Sequence, residues 1–185
     1  MRALEYGPVA ADTRGVRRLR GEGGFGLIEL LMAMTMLNIG LLAVVAAFTS
    51  GIWGLARAGS ISTASALGDQ QMELYRGLPN ACIYITSPPS SGVYASDSAY
   101  SSTQVTSSSA CTTLGLTPPS NATNPNRTGV LGPDHHKYEV DTYIVTTTPQ
   151  SNARAVDQVT VVVRDGLVTS RVLARQSSTF DSSSG

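Results

Sequence analysis

The chain has 185 residues, enough for one ordinary domain or for a smaller domain with additional segments. Charged residues make up 14% of it, well below the usual quarter, and its formal net charge is zero. Neither a global basic field of the kind that attracts nucleic acid nor a strongly acidic field is present.

Residues 1–24 are polar and have more basic than acidic residues, with arginines at positions 2, 14, 17, 18 and 20 against Glu5, Asp12 and Glu22. Four of these arginines stand shortly before a long apolar run. Basic residues beside an apolar segment keep that end in the cytoplasm. We therefore interpret residues 1–24 as a leader peptide and predict an N-terminus inside and a C-terminus outside.

Residues 25–48 are apolar except for Glu29, Thr35 and Asn38. As a helix these residues would rise about 36 Å, which is enough to cross a hydrocarbon core of about 30 Å with some tilt. We predict a single membrane-spanning segment here. Glu29 is costly in lipid, about 2.5–3.5 kcal/mol for a charge at the bilayer centre, so its presence requires an explanation.

The helical pattern continues through residues 49–78, and Pro79 is the first proline able to stop it. Mostly apolar side chains recur at three- and four-residue steps, which predicts an amphipathic helix packed on a small domain. This predicted stripe consists of Ala64, Leu67, Gln71, Leu74 and Leu78, and the residues expected to face away are Arg57, Asp69, Gln70, Glu73 and Arg76.

The next segment comprises residues 79–137. Its middle part, residues 86–128, is rich in Ser and Thr and poor in aliphatic side chains. Such a composition predicts a long loop region that buries little apolar area, with at most one short strand. Cys82 and Cys111 are the only cysteines, and both lie in the part predicted to be outside. An even count in an oxidising compartment predicts a disulfide between them, although two unrelated thiols remain the alternative.

Residues 138–176 alternate and are rich in β-branched side chains, and Asp165-Gly166 lies between two such runs. We predict an antiparallel meander of strands near 138–147, 156–164 and 167–175, followed by a disordered tail at 177–185. The long helix is the available cover for this sheet. The expected fold is therefore α+β, a long N-terminal helix packed on a three- to four-stranded antiparallel sheet.

The stretch GFGLIELLMA, Gly24 to Ala33, resembles the cleavage and assembly signal of type IV prepilins and related pseudopilins. It combines a glycine, an aromatic residue and a glutamate at the family's spacing with a basic leader before and one span after. The resemblance is firm over about residues 20–50, and the remainder agrees only in architecture.

This resemblance implies that a prepilin peptidase cuts between Gly24 and Phe25 and methylates the new amine of Phe25. It also implies that Glu29, the fifth mature residue, pairs with such an amine, chiefly on a neighbouring subunit. The implied partners are this peptidase, other pilin subunits and an inner-membrane assembly platform, with no cofactor and no enzymatic activity. The protein would cross the cytoplasmic membrane once and then enter an extracellular or envelope-spanning filament.

Two positions depart from the family pattern. Gly26 stands where Thr or Ser is common, and Ala46 stands where many major pilins carry a helix-breaking proline. The second departure favours a minor pilin or a pseudopilin of a type II secretion or DNA-uptake machine. A signal-anchored extracytoplasmic domain with a separate task is the remaining alternative.

Other candidate residues have ordinary explanations. His135-His136 follows Gly-Pro-Asp and is typical of a loop rather than of a metal site. Trp53 suits either a membrane-interface anchor or a core position. The arginines of the C-terminal strands could form a weak DNA-binding patch, but a solvated sheet face is the better interpretation. These arginines are Arg154, Arg164, Arg171 and Arg175.

Overall fold

A computed structural model describes residues 26–148 and 153–181. Helix α1 (Leu27–Arg76) is followed by a 3-10 turn (Asn80–Cys82) and three short helices, α2 (Gly92–Ala95), α3 (Ser109–Thr113) and α4 (Ser120–Thr123). Strands β1 (Asn126–Leu131), β2 (Lys137–Thr147), β3 (Val156–Asp165) and β4 (Val172–Phe180) form one antiparallel sheet in the order β1-β2-β3-β4. The predicted α+β fold is confirmed.

The chain divides into two compact units, Met1–Phe48 and Thr49–Gly185. In the first unit the described part is almost entirely the apolar beginning of α1. The second unit, which we call the head, contains the rest of α1, the short helices and the sheet.

Within the head, α1 contacts the sheet through the predicted amphipathic part of the helix. Its buried residues recur at steps of three or four, as one helical face requires. Ala64 and Gln71 of the predicted stripe are buried, whereas Leu67, Leu74 and Leu78 are only partly buried. The prediction was wrong in detail because the buried face is rotated toward Gly68, Met72 and Tyr75. The five residues expected to face away are all exposed.

The side of the sheet under α1 holds the main core. Alternate residues of β2 and β3 point to it, as strand geometry dictates. Tyr75 of α1 donates its hydroxyl hydrogen bond to the Ala122 carbonyl, which ties the helix to α4 at the edge of this core. The fully buried strand residues of this core are Tyr138, Val140, Ile144, Val159, Val161 and Val163.

The opposite side of the sheet is also covered, by a segment that was predicted to be a loop burying little apolar area. Tyr94 of α2 stacks on Tyr143 of β2 with ring centroids 4.4 Å apart, and Val162 completes the cluster. The Tyr94 hydroxyl donates to the Thr142 carbonyl at 2.6 Å, and the Tyr143 hydroxyl donates to the Tyr94 carbonyl at 3.0 Å. A stretch predicted to bury little therefore covers the second face by means of a few aromatic anchors.

The connection after β3 differs from the predicted two-residue Asp-Gly hairpin. Strand β3 ends at Asp165 and β4 begins at Val172, so the loop spans residues 166–171 and β4 is shifted from the predicted 167–175. A tight turn of that type needs positive φ at its glycine, and Gly166 does not have it. Instead its amide donates to the Lys137 carbonyl at 2.8 Å, and Asp165 accepts from the Leu167 amide at 2.9 Å.

The shift of β4 also corrects the predicted disordered tail. Residues 177–180 belong to β4 and pair with β3, with Phe180 opposite Asp157. The chain near 126–131 forms β1, the fourth strand of the sheet, which agrees with the expectation of a short strand in the loop region and of a three- to four-stranded sheet.

Candidate assembly segment

The apolar beginning of α1 is a helix that no other described part of the chain covers. Its most apolar 18 residues have a mean hydropathy of 2.2, and none of them is buried. It is a candidate membrane span by length and composition, as the sequence predicted. Large side chains such as Leu37 and Phe48 are about seven-tenths exposed. Burying a side chain of this kind is worth about 1.5–3 kcal/mol, so this surface requires lipid or other protein around it.

The polar residues within this apolar segment are satisfied by their own helix. The Thr35 hydroxyl donates to the Met32 carbonyl at 2.8 Å, and the Asn38 amide donates to the Met34 carbonyl at 3.0 Å. Both hydrogen bonds reduce the cost of placing these groups in lipid. In the single chain, Asn38 therefore does not need a neighbouring helix as partner.

Glu29 lies in the first turn of α1, two residues after the helix begins. The Gly26 carbonyl accepts hydrogen bonds from the amides of Glu29 and Leu30, at 2.9 Å and 3.1 Å. The Glu29 side chain is exposed. A carboxylate in the first turn interacts favourably with the helix dipole, by about 0.3–1 kcal/mol at an exposed site. This local gain is smaller than the cost of holding the charge in hydrocarbon.

Gly24 and Phe25, the predicted cleavage and methylation positions, lie outside the described residues. Helix α1 begins at Leu27 and passes through Ala46 as α-helix. Residues around Ala46 therefore keep their backbone hydrogen bonds within the helix, as spanning lipid requires.

The disulfide predicted from the cysteine count forms between Cys82 and Cys111, whose Cα atoms are 4.8 Å apart. Cys82 ends the 3-10 turn that follows α1, and Cys111 lies in α3. Both are buried, with 1% exposure each. The bond therefore fastens the Ser/Thr-rich segment to the end of the long helix.

A buried group of charges on the second face of the sheet went unpredicted. Arg164 of β3 donates from Nε to Asp141 Oδ2 at 2.8 Å and from Nη2 to Asp97, and all three side chains are at most 4% exposed. Arg175 of β4 also donates to Asp97, at 2.8 Å and 2.9 Å. The Asn126 amide donates to Asp141 Oδ1 at 2.7 Å. We call the buried Asp97, Asp141 and Arg164, together with the exposed Arg175 that contacts Asp97, the buried charge cluster.

Within this cluster Asp97 is held as a carboxylate. Burial alone would raise the pKa of Asp97, but hydrogen bonds from the Ala99 amide and from Arg175 outweigh it, so the pKa lies below its ordinary value. The cluster joins residue 97, in the Ser/Thr-rich segment, to strands that are far away in sequence. It therefore positions that segment on the sheet.

The four arginines considered as a DNA-binding patch each lie near a carboxylate. Arg164 is 3% exposed, so the expectation that it lies on a solvated sheet face is wrong. Arg154 lies 3.4 Å from Asp181, and Arg171 lies 3.9 Å from Asp165. Their charge is therefore largely compensated within the head.

The structure also shows where Trp53 and the adjacent residues His135 and His136 lie. Trp53 is 73% exposed, so it is not a core residue of the head. His135 adopts a positive φ of 59° in the β1–β2 turn, and His136 Nε2 lies 3.2 Å from Asp165 Oδ1. In residues 26–148 and 153–181, no group of three or more His, Cys, Asp or Glu side chains could hold a metal ion.

Comparison with family models, with curated proteins and with solved structures finds no match for this chain.

Proposed function

We propose that this protein is a type IV pilin-like subunit, a minor or major pilin, that assembles into a filament through α1. The observation that supports the proposal is Glu29 at the start of an apolar helix that has no cover among the described residues of its own chain. For a lone lipid anchor, the small gain from the helix dipole does not offset the cost of that carboxylate in hydrocarbon. A helix that leaves lipid to pack against other copies gains a charged partner for it.

In this proposal a prepilin peptidase cuts after Gly24 and methylates Phe25 while the chain is in the cytoplasmic membrane. The new amine then pairs with Glu29 of a neighbouring subunit when an assembly platform moves the helix out of lipid. Removing one member of a buried ion pair costs about 3–5 kcal/mol. The pair would therefore set the axial register between subunits.

Mass spectrometry of the purified protein tests the processing step. A mature N-terminus that begins with methylated Phe25 supports the proposal, whereas an intact Met1 contradicts it and favours a signal-anchored domain. A disulfide between Cys82 and Cys111 suits that domain equally well, so it does not discriminate.

Replacement of Glu29 tests the assembly step. We expect Glu29→Ala and Glu29→Gln to be cleaved normally but to be poorly methylated or poorly incorporated into filaments. Glu73→Ala is the matched control, since Glu73 is an exposed glutamate on the same helix within the head. Equal methylation and incorporation of the Glu29 variants and the control would refute the pairing.

The second candidate is a pseudopilin of a type II secretion or DNA-uptake machine. The absence of a proline at Ala46, together with unbroken α-helix there, favours a minor pilin or a pseudopilin over a major pilin. Deletion of the gene separates the two: loss of surface pili supports the first, and loss of protein export or DNA uptake with pili intact supports the second.

A further inference from the structure

The second face of the sheet, opposite α1, carries a pocket that lies entirely within the head. Its volume of about 430 Å³ is within the roughly 300–1,000 Å³ that small-molecule sites occupy. Side chains of β2, β3 and β4 form its floor, and residues 98–101, which follow α2, form its wall. We call it the Tyr100 pocket. The lining residues used below are Tyr100, Gln158, Thr160, Arg175 and Ser177.

Hydrogen bonds hold the side chains that line the Tyr100 pocket. Arg175 Nη2 donates to both carboxylate oxygens of the buried Asp97, at 2.8 Å and 2.9 Å. Gln158 Nε2 donates to the Ser177 hydroxyl at 3.2 Å, and the Thr160 and Ser177 hydroxyls share a hydrogen bond at 3.1 Å. A ligand would therefore meet side chains that are already ordered, so its binding costs less conformational entropy.

The same side chains keep polar groups that no described residue satisfies. Arg175 uses only Nη2, so its Nε and Nη1 groups remain as donors. Gln158 uses only its amide nitrogen, so its Oε1 remains as an acceptor. The Tyr100 hydroxyl, which can donate and accept, has no hydrogen bond to a described residue. Donors and acceptors side by side suit the hydroxyl groups of a ligand, because a hydroxyl also donates and accepts.

The electrostatics of the Tyr100 pocket favour an uncharged ligand. Arg175 is the one charged side chain among its described lining residues, and it contacts Asp97. In the buried charge cluster two carboxylates balance two guanidinium groups, so no net charge selects an anion or a cation. An apolar ligand is also disfavoured, because it would take water from the polar groups without replacing its hydrogen bonds.

Tyr100 adds an aromatic surface to these polar groups. Its ring is only partly buried, and Tyr94 meets it edge to face with ring centroids 6.1 Å apart. The face of an aromatic ring is weakly negative and attracts polarised C–H bonds. A pyranose matches both features, since its hydroxyl groups bond to polar side chains and its C–H face packs on an aromatic ring.

We propose that the Tyr100 pocket binds a neutral pyranose. Arg175 donates to hydroxyl groups of the sugar, Gln158 accepts from them, and the Tyr100 ring packs on the C–H face. The inference goes beyond the proposed assembly function and rests on the head alone. It depends neither on cleavage at Gly24 nor on the pairing of Glu29.

Saturation-transfer NMR on the full chain measures this binding. The protein is kept in a detergent without a sugar headgroup, so that the detergent does not compete for the pocket. The probes are the methyl glycosides of glucose, galactose, mannose and N-acetylglucosamine. We expect at least one of them to bind with a Kd of the order of millimolar, as the small size of a monosaccharide allows.

Replacement of Gln158 tests where the sugar binds. Gln158 is exposed, so Gln158→Ala should keep the fold, and the loss of one hydrogen bond should weaken binding about two- to tenfold. Gln70→Ala is the matched control, since Gln70 is an exposed glutamine of α1 outside the pocket, and its Kd should equal that of the unchanged protein. Tyr100→Leu removes the aromatic ring and should weaken binding by a similar factor. Near-ultraviolet circular dichroism checks that each variant stays folded.

Three results would overturn the proposal. The first is no saturation transfer to any of the glycosides at tens of millimolar. The second is an equal Kd for Gln158→Ala and Gln70→Ala, which would place the binding elsewhere. The third is displacement of the glycoside by sodium sulfate but not by sodium chloride of equal ionic strength, which would indicate an anion site. None of these readouts involves Phe25 or Glu29, so a failure here leaves the proposed assembly function standing.

Discussion

Replacement of Arg164 by methionine gives the sharpest test of how the head is held together. The variant keeps most of the side chain's length but removes the cation from the buried charge cluster. Asp97 would keep Arg175, at 2.8 Å and 2.9 Å, whereas Asp141 would keep only the Asn126 amide at 2.7 Å. The variant therefore leaves a carboxylate that is 0% exposed without a counter-charge.

Breaking a buried pair in this way costs about 3–5 kcal/mol, a large part of the 5–15 kcal/mol that stabilises a typical domain. Arg154→Met is the matched control, because Arg154 is 61% exposed and lies 3.4 Å from Asp181. An exposed pair contributes about 0–1 kcal/mol. The two identical substitutions should therefore differ by at least about 2 kcal/mol.

Urea unfolding of the full chain in detergent measures this difference. Near-ultraviolet circular dichroism is the suitable signal, since the stacked Tyr94 and Tyr143 rings lie on the same side of the sheet as Arg164. For an m-value of about 2 kcal/mol/M, the midpoint of Arg164→Met should fall by about 1.5–2.5 M. Adding Asp141→Asn should restore about 0.5–3 kcal/mol. Equal midpoints for Arg164→Met and Arg154→Met would refute the reasoning.

Three further predictions concern the head. Replacing Cys82 and Cys111 by serine opens a loop with a sequence separation of 29, so the free energy of unfolding should fall by about 3–4 kcal/mol, and unchanged protease resistance would contradict this. Tyr94→Phe removes the hydroxyl that donates to the Thr142 carbonyl, and its urea midpoint should report a loss of about 1–2 kcal/mol. The pKa of Asp97 is lower in the folded protein than its ordinary value of about 3.9. The ionised carboxylate therefore stabilises the folded state above that ordinary value, and this contribution is lost as the pH falls through the lower pKa of the folded protein. Urea midpoints should therefore fall with acid below about pH 4, and Asp97→Asn should flatten that fall; the same acid dependence in both proteins would disprove the assignment.

Much of the architecture could be predicted because it depends on periodicities and on residues with strong local effects. The observed helix Leu27–Arg76 agrees closely with the helical residues predicted over 25–48 and 49–78, since a long run without proline ends at Pro79. Strand β2 matches its prediction at both ends to within one residue, because β-branched and aromatic side chains are concentrated there.

The features that were missed depend on contacts between distant parts of the chain. Asp97 and Arg164 are 67 residues apart, so nothing local in the sequence indicates that they pair. An arginine in a strand ordinarily indicates a solvated face, which is why Arg164 was misplaced. The position of β4 was missed because the side chain of Asp165 binds amides of the loop and so favours a wider connection than Asp-Gly alone indicates.

Separate contacts along the Ser/Thr-rich segment attach it to the rest of the head, among them the bond from the Tyr75 hydroxyl to the Ala122 carbonyl. Tyr94 stacks on β2, Asp97 joins the buried charge cluster, Gln104 forms an isolated bridge with Val145, and Cys111 carries the disulfide. Many of the intervening residues are exposed or partly exposed. Substitutions at exposed positions between these attachments cost little stability as long as the attachments persist. The outer surface of this segment can therefore diverge rapidly between relatives while the fold beneath it stays the same.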